Sequence, residues 1–124
     1  MAIGNQVNLA SIFGSVTPSG LVEVEIPLSL NGGAPAASIT IPSDMNLEVF
    51  RFTVSGQAAG EYRIQRLMGG SWVEIANVVM PGIGSSPLPL LLNIPAGSAL
   101  RVRGRCLSSA EKLAVLISGY FYRS

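Results

Sequence analysis

The chain has no histidine, one cysteine and one lysine. Histidine is the commonest general base near neutral pH and the commonest zinc ligand. Its absence removes Ser-His-Asp and Cys-His nucleophile arrangements and the usual zinc sites. With Cys106 alone, no internal disulfide can form. A Ser-Lys pair would have to use Lys112, and no serine stands in a nucleophile-elbow context. The glycine-containing stretches GQAAGEYR and PGIGSS lack the Gly-Lys-Ser/Thr ending of a phosphate loop. Of the seven carboxylates, only Glu23 and Glu25 are close together on one strand face, where they read as a solvated edge rather than a glycosidic pair. Calcium needs several converging oxygens. PSDMN offers Asp44 and Asn46 only, and reads as a turn in which Asp44 bonds its own backbone. These absences predict a protein that is not an enzyme and holds no metal or other cofactor.

Charge is also scarce. Charged residues make up 12% of the chain and hydrophobic residues 48%, which is about half the charge usual for a soluble domain. That balance predicts extra apolar surface, part of it buried between subunits. A net charge of +1 supplies no field to hold nucleic acid or an acidic membrane. No run reaches the ~20 apolar residues of a membrane helix. No basic residue precedes Arg51, unlike a secretory signal, so the expected place of synthesis is a cytoplasm.

What is present is period-two patterning. Residues 1–20 mix Gly, Asn, Ser and scattered apolar residues, end in the turn signal TPSG, and read as an arm ordered against a partner. From residue 21 the alternation begins. In LVEVEIPLSL, Val22, Val24, Ile26, Leu28 and Leu30 share one face, and Pro27 marks an edge strand or a bulge. Further strands are expected near 37–41, 47–55, 61–68, 72–79, 88–94, 99–106 and 112–122, separated by Gly- and Pro-rich breaks. About eight short strands at such spacing predict one all-β, jelly-roll-like β-sandwich over 21–124, preceded by the extended N-terminal arm over 1–20. A weak echo supports two Greek-key halves: ITIPSDMNLEVFR (39–51) and LNIPAGSALRVRG (92–104) align at Ile-Pro, Leu47/Leu100 and Val49/Val102.

Three features are candidate contact surfaces. Gly69-Gly70 suits a two-residue hairpin turn that sets Leu67 opposite Trp72, Gln65 opposite Glu74 and Arg63 opposite Ala76. Tyr62, Ile64, Val73 and Ile75 then form the core face. Trp72 and Leu67 point outward as a contact anchor, unless a loop or the arm covers them or the register slips. The last strand, KLAVLISGYFYR, is apolar on both sides. Leu113, Val115, Ile117 and Phe121 suit the core, while Leu116, Tyr120 and Tyr122 suit a neighbouring subunit. Arg101, Arg103 and Arg105 alternate with Leu100, Val102 and Cys106. Cys106 is expected as a small buried hydrophobe. The arginine row reads as a solvated face opposite glutamates, as a protein contact, or as a phosphate ladder. The last of these lacks interleaved aromatics, since Phe50 and Phe52 are expected in the core.

The carboxyl-terminal half, LPLLLNIPAGSALRVRGRCLSSAEKLAVLISGYFYRS, resembles the final strands of small jelly-roll virion proteins. The whole layout is similar to that of a bacteriophage capsid decoration (cement) protein. TNF/C1q-like trimeric modules share the sandwich and the apolar closing strand. The resemblance implies a homotrimer on the capsid surface, bound to the major capsid protein, with neither nucleic acid nor membrane as partner. It implies arm anchors at Ile3, Leu9, Ile12 and Phe13, with Trp72 and the arginine row as contact surface. The alternative is a receptor- or glycan-binding module of a phage spike or tail, using Trp72 with Gln65 and Glu74.

Overall fold

The computed structural model describes residues 7–123. Among them are ten strands and no helix. They run β1 (Val7–Val16), β2 (Val24–Ile26), β3 (Leu28–Leu30), β4 (Ile39–Thr40), β5 (Asn46–Gly56), β6 (Gly60–Met68), β7 (Ser71–Met80), β8 (Gly84–Ile94), β9 (Ala99–Cys106) and β10 (Leu113–Tyr122). Sheet A has the order β3-β1-β10-β5-β8, and sheet B the order β2-β9-β6-β7 with β4 also on β9. All pairings among the described strands are antiparallel. Two antiparallel sheets, with neighbours drawn from distant parts of the chain, make the expected jelly-roll sandwich.

The expected arm is corrected over half of its length. Val7–Val16 is a full strand, paired residue for residue with β10 from Val7↔Tyr122 to Val16↔Leu113. Ala10 and Ile12 are buried in the core. The apolar residues of this segment, read as scattered, alternate between core and outer face once β10 and β3 flank them. Ile3 lies outside the described residues.

Pro27 explains the other departure. The run read as one strand breaks there into β2 on sheet B and β3 on sheet A. Proline cannot donate to a ladder, so pairing stops and the chain crosses between sheets with Ile26 and Leu28 both buried. Val22, expected on the core face, precedes β2 and is exposed.

The inner faces form one core. β10 supplies Leu113, Val115, Ile117 and Phe121, β5 supplies Leu47, Val49, Phe52 and Val54, β6 supplies Tyr62 and Ile64, and β9 supplies Leu100, Val102 and Cys106. Full burial of such side chains stabilises by roughly 1.5–3 kcal/mol each. The Cys106 thiol is buried as expected, and its Sγ bonds the Glu111 carbonyl at 3.3 Å. Tyr62 reaches through the core to donate its hydroxyl to the Ser55 carbonyl at 2.9 Å. Burial pushes its phenol up to about 12.

The two Ile-Pro corners are neighbours at one end of the sandwich. Ile41 N–H donates to Ser98 O at 2.8 Å, and Gly97 N–H donates back to Ile41 O at 3.0 Å. Asn46 accepts from Ala96 N–H at 3.0 Å. The sequence echo therefore marks two equivalent corners clasped together: β4 pairs with β9, and β5 with β8.

Two bulges set what faces outward. In β5, Val49 pairs with Gly119 of β10 while Arg51 pairs with Ser118, so Phe50 is an extra residue. The strands approach so closely there that a Cβ on Gly119 would overlap the Glu48 carbonyl oxygen. In β7, Glu74 pairs with Gln65 but Ala76 with Ile64, which makes Ile75 the extra residue.

Candidate functional site

The outer faces of the two sheets differ in kind. The strands of sheet B carry Glu25, Glu61, Arg63, Arg66, Glu74, Arg101, Arg103 and Arg105. The five strands of sheet A carry two charged residues, Glu48 and Arg51.

On sheet B the charges are partnered within the subunit, except Arg66, whose Nε is buried without a hydrogen-bond partner. Alternation on β9 turns Leu100, Val102 and Cys106 inward and the arginines outward. Arg105 Nε donates to Glu61 at 2.7 Å, Arg103 Nε to Glu23 at 2.9 Å, and Arg101 Nε to Gln65 at 2.7 Å. Arg101 also lies 3.7 Å from Glu25. Arg63 stands among Glu74 at 3.4 Å, Glu23 at 3.5 Å and Glu61 at 3.6 Å. The hydrogen bonds from Asn77 and then Arg105 hold the Glu61 carboxyl below its ordinary value. The arginines thus face glutamates of adjoining segments, the geometry of the solvated-face reading.

Trp72 belongs to this lattice. Gly69 and Gly70 both have positive φ, +61° and +84°, as a two-residue hairpin turn of the primed kind requires. The register holds for Leu67↔Trp72 and Gln65↔Glu74. It then slips by one at the Ile75 bulge, so Arg63 meets Asn77 rather than Ala76. The β7 core face is consequently corrected in part: Ile75 packs against the core as expected, joined by Ala76, Val78 and Met80, while Val73 is exposed. Trp72 does point outward, with Leu67 exposed beside it. The Arg101 guanidinium covers the indole, 4.3 Å above the ring centroid. A sugar would have to displace that cation or use the other face of the indole.

On sheet A the outer face is apolar across four strands. Leu9 is 77% exposed and Phe13 50% on β1, Phe50 is 37% exposed on β5, and Leu91 is 80% exposed on β8. Cross-strand pairing joins them to β10 through Leu9↔Tyr120 and Phe13↔Leu116. The Phe50 and Tyr120 rings stack at 6.5 Å, and Tyr120 and Tyr122 lie 6.1 Å apart. Asn93 donates to Tyr122 and, at 3.1 Å, to Glu48. The structure therefore gathers Leu9, Phe13, Leu116, Tyr120 and Tyr122 into one patch. It separates them from Leu67, Trp72 and the arginines, which occupy the outer side of the other sheet. Ile12 joins neither group, because its buried side chain cannot reach a partner molecule.

Sequence reading misses Phe50, Arg51, Glu48 and Leu91 as surface residues. Phe50, expected in the core, lies on the outer face. A signal existed: Leu47 and Val49 occupy odd positions, Phe52 and Val54 even ones, and such a parity switch inside one apolar run marks a bulge that turns two successive residues outward.

No protein-family model and no curated protein matches the sequence. Among solved structures, the chain is similar to murine APRIL at 7% identity and a TM-score of 0.51, over 89% of this chain and 99% of that one. It also matches an Eiger TNF from S. frugiperda at 14% identity and a TM-score of 0.43, over 90% and 91% of the two chains. A chain of infectious bursal disease virus, Gx strain, matches at 11% identity and a TM-score of 0.38, with 97% of this chain on 42% of that one. The likeness to APRIL is one of fold, and it agrees with the jelly-roll sandwich described above.

Proposed function

We propose that the protein is a non-enzymatic virion structural protein. It self-associates as a homotrimer through the outer face of sheet A and binds the outside of a phage capsid, clamping neighbouring capsomers. The observation that carries the self-association is the partition of charge between the sheets. One outer face is wet and internally neutralised. The other presents exposed Leu and Phe side chains beside half-buried tyrosines over four strands, and a contiguous exposed apolar patch marks an interaction site. The capsid location rests on the resemblance of residues 88–124 to the closing strands of jelly-roll virion proteins. A trimer bound across capsomer joints would stabilise a shell by mass action, since it binds the assembled state only. In this reading the protein is made in the host cytoplasm and ends on the capsid surface.

Two measurements test this. Native mass spectrometry should give a trimer for the wild type, with Leu9→Ser/Phe13→Ser shifting it to monomer while its far-UV spectrum is unchanged. A wild-type monomer at micromolar concentration would end the self-association reading. Quantification of the protein in purified particles should then give copies in proportion to the capsomers. A copy number matching a single vertex or a tail would overturn decoration in favour of a spike or tail role.

A further inference from the structure

A face that becomes buried must leave each of its charges with a partner, because an unpaired buried charge is strongly destabilising. The outward arginines of sheet B, Arg63, Arg101, Arg103 and Arg105, all meet glutamates within the subunit, and the charges of sheet A do not meet opposite charges. Arg51 is exposed and forms no ion pair among the described residues. Its guanidinium lies 5.9 Å from the Phe50 ring, against apolar surface. Glu48 is half-buried and receives the Asn93 amide, a neutral donor that leaves its charge uncompensated. The Phe50 bulge places both on the same outer face: Glu48 aligns with Tyr120, and Arg51 with Ser118.

We propose that when copies of the chain meet through this face, Arg51 of one protomer pairs with Glu48 of the next, and that this pair sets the register of the contact. The inference rests on the self-association reading above and deepens it. The occupant is a second copy because the face carries one charge of each sign and so complements itself. A partner presenting a single sign of charge would leave one of the two unpaired. Apolar contact is non-directional and tolerates sliding. A bidentate guanidinium–carboxylate pair does not, which suits Arg51 to the role.

The test is a charge-swap series followed by sedimentation and native mass spectrometry on full-length protein, with far-UV spectra as the folding control. R51E and E48R should each weaken self-association by on the order of a hundredfold, because each sets like charges opposite one another. The double variant E48R/R51E should recover the wild-type state. Mixing the two single variants should produce mixed pairs, since the carboxylate introduced at position 51 of one can meet the guanidinium introduced at position 48 of the other; a closed mixed trimer keeps one like-charged contact, so the hetero-pair is the readout. An internal pair could not give that result. Single variants that assemble like the wild type would overturn this proposal and leave the self-association reading intact. So would a mixture that stays monomeric while the double variant assembles. A monomeric wild type would overturn both.

Discussion

Tyr62 shows how much of one residue is visible in a sequence. Its inward direction follows from alternation with Ile64. Its hydroxyl partner, the Ser55 carbonyl, does not, because that contact spans the two sheets. Burial holds the phenol protonated in the folded protein up to about 12, against an ordinary value of 10.0. The folded-state value is raised, so the stabilisation is fully present below pH 10 and is lost as pH rises through about 12. Denaturant midpoints measured across that window should fall more steeply for the wild type than for Tyr62→Phe. Parallel curves would show that Tyr62 is not the group responsible. The same limit on sequence reading applies to Phe50, whose outward turn depends on a bulge shared with β10 and β8.

At the scale of elements, patterning reveals each strand's existence and mostly its faces, but only weakly its partners. The β9 alternation, the split faces of β10 and the Gly69-Gly70 hairpin were legible because each depends on local periodicity or turn chemistry. β1 was not, because adjacent apolar pairs such as Leu9-Ala10 and Ile12-Phe13 blur its alternation, and its pairing with β10 comes from the far end of the described chain. Nor was the destination of the arginine row, which depends on Glu23, Glu25 and Glu61 arriving on segments distant in sequence. Since those ion pairs are partly exposed, each is worth about 0–1 kcal/mol. Arg103→Ala should therefore shift stability by less than about 1 kcal/mol, and by less still in high salt. It should also leave the oligomeric state unchanged. Loss of association in that variant would relocate the contact to sheet B.

For the molecule as a whole, the sandwich architecture followed from strand count and spacing, whereas the two-sidedness did not. Low overall charge implied a covered surface without saying which one. Only the assignment of strands to sheets separates the few charges of sheet A from the many of sheet B. The same assignment changes what truncation should do. Removing residues 1–6 should leave a folded, self-associating protein. Removing residues 1–16 also deletes the strand between β3 and β10 and the buried Ile12. Loss of that one side chain to Ala alone would cost about 2–5 kcal/mol. The longer truncation should fail to give a cooperative denaturation transition, and a cooperative one would mean that β1 is dispensable.

The pairing of β1 with β10 also has a meaning in time. During synthesis Val16 emerges long before its partner Leu113, and Val7 longer still before Tyr122. At ~5–20 residues per second, the nascent chain holds Ile12 and Phe13 without their sheet neighbours for roughly 5–20 s. Among the described strands, β6 and β7 are the only two adjacent in sequence that also pair with one another, so little else can form locally while the chain waits. Both the completion of the sheet and the appearance of its apolar outer face are thereby deferred to the last strand. Until β10 joins β1 and β5, an unfinished copy presents separate apolar segments and not the finished surface.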